Sequence, residues 1–433
     1  MKELLKQGFT IIFARGFIRM AQLISFVLLA RFLTPAEFGY FGIVTSAIPL
    51  AAMLGSLGLR QSFAYEIGQK RLLPGDAIAT MLAAWPVLAA LSAIAAFYAI
   101  GPEAGGLSGN SLAAIVGLGV FGTMFIMLAQ GMFLGRGEIG RFSFVETLPR
   151  VLLAVLVVAL VLLQRVTLEN SLWLYSISFV FIVPVSLILV LRGVSGFKVR
   201  LAALPRMAGY GLAFALNLSM VLLNVRIGVF LLERLSGAEA AGLYFAASRV
   251  NEIFVEAATA FGLVIFSRAV RTDGGSDIIR QNARITCWIF WCFLLGGLAV
   301  AAVAPWLVPL VLGGGYAGAV PLLQIAALAL GPAAAVKIIY PSIAGQGRPW
   351  IGTVILALTL GLNVLAAWTL IGGMGAEGAA FAFLIAQYAS LAMYSILLKL
   401  KFDVPMRALF LPSRADAASL AAALRQAVSR GRK

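Results

Sequence analysis

Six basic side chains interrupt the longest apolar runs of this chain: Arg15, Arg19, Arg150, Arg226, Arg249 and Lys337. A guanidinium in such surroundings does one kind of chemistry well, because its planar fork of N–H donors grips a phosphate or carboxylate bidentately. A charge near the centre of a bilayer costs about 2.5–3.5 kcal/mol, so it persists only beside a partner or in a polar cavity. Glu146, Glu252 and Glu256 are the carboxylates at comparable depth, which leaves the apolar interior with a cationic surplus. A space lined in this way suits an anion that crosses or dwells there.

Spacing groups these residues. Arg15, Arg19 and Gln22 stand at i, i+4 and i+7, within an arc of about 60° on one helix face. Arg15, about 9 Å along its helix, either lines the cavity or returns its head to the membrane surface along its aliphatic stem. Arg19, about 15 Å in, reads as a cavity residue. Asn217, Asn224 and Arg226 share a later helix. The asparagines serve either a cavity or helix–helix contact, whereas Arg226 has no acidic residue within a turn and reads as cavity-facing. Arg249, Glu252 and Glu256 fall at i, i+3 and i+7. They form either a self-neutralising pair or carboxylates that carry a coupling proton or Na⁺. Glu146 and Arg150, at i and i+4 in the favoured order, read chiefly as a structural pair with coupling as the other option. Lys337 lies near a helix end and either snorkels or faces the cavity.

The elements that hold these residues are helices in lipid. The 433 residues are 62% hydrophobic and 12% charged, with mean hydropathy +1.00, and the apolar runs are continuous rather than alternating, which excludes a barrel. Twelve spans are expected at 9–33, 38–60, 77–100, 111–134, 143–163, 171–191, 208–232, 238–266, 284–311, 317–341, 350–371 and 376–400. The first reads as a retained helix and not a signal peptide. Histidine is absent, which removes imidazole catalysis and the usual zinc ligand, and no cofactor or metal is expected. Cys287 and Cys292 read as core fillers. Gly313–Gly318 is a turn and not a phosphate loop, since no Lys-Ser/Thr follows it.

Charge sets orientation. With the N-terminus inside, only Arg31, Arg165 and Arg234 fall on the outer side, so the positive-inside rule puts both termini in the cytoplasm. The basic character then reflects contact with anionic lipid headgroups through Arg192, Lys198, Arg200, Arg206 and the tail 404–433, and calls for no nucleic acid. Two echoes suggest duplication. Thr34-Pro35-Ala36-Glu37 and Ser236-Gly237-Ala238-Glu239 both read as capping boxes, and Gly135-Arg136-Gly137 is echoed by Gly345-Gln346-Gly347. They imply two pseudo-symmetric six-helix bundles, 1–200 and 201–403, followed by the basic tail.

Leu29-Ala30-Arg31-Phe32-Leu33-Thr34-Pro35-Ala36-Glu37-Phe38-Gly39, followed by an apolar span ending Gly55-Ser56-Leu57-Gly58-Leu59, resembles the polysaccharide-transporter (Wzx-type) oligosaccharide flippases. These belong to the multidrug/oligosaccharidyl-lipid/polysaccharide (MOP) exporter superfamily. The resemblance implies an all-α integral membrane protein of the bacterial inner membrane. It also implies alternating access for undecaprenyl-pyrophosphate-linked oligosaccharide, with a cationic central cavity. A multidrug exporter of the same superfamily is the nearest alternative, but cationic drugs want a surplus of carboxylate. A membrane transferase or polymerase would want histidine or carboxylate chemistry and a sizeable aqueous loop, so no enzyme is expected.

The orientation is testable. Cysteines placed at Gly106 and Gly373 should react with an impermeant thiol reagent added outside intact cells, and one at Gly196 should not. Labelling at Gly196 would reverse the assignment.

Overall fold

In lipid every backbone N–H and C=O must find its partner within the chain, and apolar runs of this length meet that demand as helices. A computed structural model describes residues 19–102, 104–271, 275–344 and 349–411, and these form helices joined by short links, with no strand among them. The order is α1 (19–32), α2 (Pro35–Gly55), α3 (Leu59–Gly68), α4 (Pro74–Ile100), α5 (Gly109–Gly135), α6 (Ile139–Leu162), α7 (Leu168–Val180) and α8 (Ile182–Leu191). After a short link come α9 (Leu204–Ser236), α10 (Ala238–Arg271), α11 (Gly275–Leu312), α12 (Ala319–Ala327), α13 (Leu330–Ala344), α14 (Pro349–Met374), α15 (Ala376–Phe402) and α16 (Met406–Phe410).

Nine helical segments among the described residues are long and apolar enough to cross a membrane, and α12 with α13 makes a tenth across a 43° bend. The two remaining expected spans correspond to α1, whose preceding residues lie outside those described, and to α10, which carries Arg249, Glu252 and Glu256. Several hydroxyls inside the helices are satisfied locally. Ser25, Thr45, Ser92, Thr359 and Ser395 each donate to the carbonyl four residues back, so they add no unpaired polar group to the apolar interior.

The compact units part elsewhere than at residue 200. One comprises Met1–Ala246 with Val308–Ala317, the other Ala247–Leu307 with Gly318–Lys433. The first unit extends past residue 200 because α9 packs on α2 and α3. Gly58 and Gly211 bring the backbones of α3 and α9 together, and a Cβ on either would overlap the other's carbonyl. Ser62 Oγ adds a hydrogen bond to the Met207 carbonyl at 2.8 Å. The first turn of α10 is gripped in the same way, since Gly39 and Gly242 have room only for hydrogen. Phe38, fully buried, packs its ring against Phe26, Phe41, Phe245 and Tyr316. Tyr316 also donates its hydroxyl to the Leu33 carbonyl at 3.2 Å.

In the second unit α14 and α15 pack along their length, and Phe290, Ile339, Ile351 and Tyr394 join one buried cluster. Asn282 Nδ2 donates to Ser342 Oγ at 2.9 Å. The bend between α12 and α13 frees the Leu328 carbonyl, which accepts from the Tyr388 hydroxyl at 3.3 Å.

Local expectations meet mixed outcomes. Thr34 and Glu37 form the capping box with Pro35 at the first helical position. Its echo differs: Ser236 is the last residue of α9, and Gly237 alone, at φ 88°, links α9 to α10. Gly345–Gly347 lies outside the described residues. Cys287 is buried as expected of a core filler, but Cys292 is exposed.

Close approach at Gly131 is a sharp test of this packing. A Cβ there would overlap the Arg60 backbone, whereas nothing lies within 4 Å of one at Gly117 on the same helix. Gly131→Val should lower the thermal unfolding midpoint of the purified protein, with a cost of about 1–3 kcal/mol. Gly117→Ala should leave it unchanged or slightly raised.

Candidate functional site

The break between α2 and α3 sets the site. Leu57 and Gly58 both adopt left-handed backbone, φ 51° and 71°, which ends α2 and starts α3 with Arg60 in its first turn. Glycine carries that conformation without strain and leucine does not, so the break is held by packing of Gly58 on Gly211. Gly131 of α5 then lets the Arg60 backbone settle directly on α5. The Arg60 guanidinium lies over the Phe142 ring at 5.6 Å, in electrostatic range of Glu146 and Arg150 on α6. Arg150 donates to the Glu146 carbonyl one turn back and lies in range of the Glu146 carboxylate, Tyr175 and Arg19. Arg19 in turn donates to Gln22 Oε1 at 3.1 Å. Two guanidiniums, from α3 and α6, therefore lie about one carboxylate, and the exposed Arg19 of α1 lies in range of the second of them.

Beside this cluster the first unit holds a cleft of about 710 Å³ between α3, α5 and α9, whose walls include Arg60, Arg71, Tyr65, Tyr210 and Phe214. The cleft takes Arg60, Gln61, Ala64 and Tyr65 from α3, whose other face is a buried stripe. Leu59, Phe63 and Ile67 recur at i, i+4 and i+8, and Glu66 at i+7 falls on the same face. Glu66, 2% exposed, accepts from the Tyr210 hydroxyl at 2.6 Å and from Arg206 at 3.3 Å. Arg71 lies over the Tyr65 ring at 5.4 Å, and Tyr65 meets Tyr210 edge-on at 6.0 Å.

The other expected residues divide between the units. In the first, Arg226 is 5% exposed and lies over the Phe245 ring at 5.4 Å. On the same helix Asn224 is buried and Asn217 half-buried. In the second, Arg249 pairs with Glu252 at 3.2 Å, both half-buried, and Glu256 acts electrostatically on Lys337 of α13. Arg15 lies outside the described residues. Among the described residues no group of His, Cys, Asp and Glu could hold a metal ion. Arg60 and Glu66 were not among the expected site residues; the first stood at the edge of an expected span, the second in an expected link.

These features define a multi-pass, all-α membrane fold with a cationic cluster in one unit. Solved structures share the fold. The inward-closed lipid II flippase MurJ is 10% identical, with 92% of this chain and 88% of that chain covered at TM-score 0.76. An inward-facing multidrug resistance MATE family transporter of the MOP superfamily is 14% identical, with 89% and 94% covered at TM-score 0.70. A MOP superfamily transporter from Pyrococcus furiosus, described by the reverse polarity of its binding pocket, is 15% identical, with 92% and 95% covered at TM-score 0.62. A comparison with curated proteins gives no match. Residues 4–266 match the family described as "Polysaccharide biosynthesis protein", and the chain belongs to that family within the MOP fold.

The Glu66 contacts carry a prediction of their own. Tyr210→Phe removes one donor from a buried carboxylate and should cost about 1–3 kcal/mol of stability. Thermal unfolding should show the loss, and a double change of Tyr210 with Glu66→Gln should cost less than the sum of the two.

Proposed function

We propose that this protein is a flippase. It translocates undecaprenyl-pyrophosphate-linked oligosaccharide from the cytoplasmic to the periplasmic leaflet of the bacterial inner membrane, for cell-surface polysaccharide. The observation that carries the reading is the placement of Arg60 and Arg150 about the Glu146 carboxylate, with Arg19 in range of Arg150. Such a cluster suits a diphosphate, which brings more than one negative charge and several acceptor oxygens. Arg226 in the first unit and Arg249 and Lys337 in the second are further candidates to meet the anion, as Arg15 is from the sequence, and Gln22, Asn217 and Asn224 are candidates to bond sugar hydroxyls. The prenyl tail stays in lipid, and the chain performs no covalent step.

The family membership and the likeness to a lipid II flippase support this reading over a multidrug exporter. The sign of the cluster supports it too, since lipophilic cations are repelled by surplus arginine. Carboxylates remain for coupling. Glu252 beside Arg249 and Glu256 near Lys337 are our candidates to carry H⁺ or Na⁺, with Glu146 as a third. We infer that both termini are cytoplasmic and that the chain arose from two six-helix halves, 1–200 and 201–403, rocking in alternating access. The basic residues of the tail, 425–433, are our candidates to meet anionic headgroups, whereas Val404 and Leu409 are buried in the second unit.

Arginine substitutions test the reading. Arg→Ala at Arg19, Arg150, Arg226 and Arg249 should each impair complementation of a flippase-deficient strain and accumulate lipid-linked sugar on the cytoplasmic face, with normal protein in the membrane. Arg150→Lys keeps the charge but loses the fork, so it should recover little of the activity. Full complementation by all four alanine variants would remove the cationic cluster from the mechanism.

A further inference from the structure

The cleft between α3, α5 and α9 combines two guanidiniums with a hydrocarbon wall. Arg60 and Arg71 supply the charge; Leu134, Phe214 and Leu218 supply the wall. Phe214 is 55% exposed and Tyr65 48%, so the cleft's wall offers apolar surface to an alkyl chain. Its lining holds no carboxylate, and the adjoining Glu66 already accepts from Tyr210 and Arg206. Arg71 is held in place by the face of Tyr65, which keeps its N–H edge available to an acceptor.

We propose that this cleft is a loading site for the prenyl diphosphate end of the lipid carrier, adjoining the arginine cluster that serves translocation and sharing Arg60 with it. The inference rests on the flippase reading and deepens it by giving the carrier a first stop. Two arginines lining one cleft, Arg60 in the first turn of α3 and Arg71 just past its end, match a diphosphate better than the single charge of a membrane phosphodiester. At about 710 Å³ the cleft falls within the range of about 300–1,000 Å³ usual for small-molecule sites. That accommodates a diphosphate with its first isoprene units and leaves the oligosaccharide outside. Arg60 connects the two places. It lines the cleft while lying in electrostatic range of Arg150 and Glu146, so a diphosphate held by Arg71 and Arg60 has its next cationic partner already in reach.

Equilibrium binding of radiolabelled farnesyl diphosphate to the purified full chain in detergent tests this. Arg71 is exposed, and its substitution should leave thermal unfolding unchanged. Arg71→Ala should weaken binding about ten- to a hundredfold, the loss expected for one charge-assisted hydrogen-bonding partner, and Arg71→Lys should fall between. Phe214→Ser should weaken farnesyl diphosphate while leaving the weaker binding of inorganic pyrophosphate unchanged. Dioleoyl phosphatidylglycerol should compete poorly. The proposal is overturned by Arg71→Ala binding within twofold of the unaltered chain. It is equally overturned by phosphatidylglycerol displacing the probe as well as unlabelled farnesyl diphosphate does, which would make this an ordinary lipid site. Binding is read without transport, so failure here leaves the flippase reading to the Arg150 variants, and failure there leaves this site standing.

Discussion

A guanidinium inside an apolar helical bundle cannot give up its charge, and everything near it must accommodate that fact. In the first unit two such groups, Arg60 and Arg150, share the carboxylate of Glu146, and Arg19 lies in range of Arg150. Part of the compensation is local: Arg150 donates to the carbonyl of its own helix, Arg19 to Gln22, and Arg60 lies over Phe142. The uncompensated part is positive. A fold that only needed to persist in lipid would gain from replacing these residues with apolar ones, and this surplus is the ground for our proposal that the protein binds an anion.

The backbone arrangement serves the placement of those charges. Arg60 is aimed by a helix break at Leu57 and Gly58 and seated by Gly131, three features that would each be destabilising in an ordinary span. Breaks of this kind occur in membrane helices where protein or a polar cavity, and not lipid, meets the freed backbone. The break also turns α3 so that its buried face carries Glu66 towards Tyr210 and Arg206 on α9, which ties the two helices together at the cleft. The cluster and the cleft thus depend on the same few small residues.

Much of this is written plainly in the sequence. Apolar runs locate the helices because lipid admits few alternatives, and the spacing of Arg249 with Glu252 announces an ion pair that the structure contains. The Thr34–Glu37 cap is equally local and equally legible. The rest depends on packing between helices distant in sequence. Arg60 sits where an expected span ends, and only the left-handed turn at Leu57–Gly58 shows that the helix restarts and carries it inward. Glu66 belonged to an expected polar link, although its place at i+7 from Leu59 on an apolar stripe was a usable signal. The Gly237 link had no such signal, since Ser236 satisfies the capping pattern while ending the preceding helix. The compact units likewise follow contacts of α9 that no periodicity reveals.

The central claim is that the interior selects an anionic lipid-linked headgroup, and reconstitution measures it directly. Purified protein in liposomes should accelerate transfer between leaflets of a fluorescent polyprenyl-diphosphate saccharide, scored by its accessibility to an impermeant quencher. It should leave the exchange of a lipophilic cationic dye at the protein-free rate. Acceleration of the cation with no effect on the diphosphate lipid would contradict the account and make the protein a drug exporter.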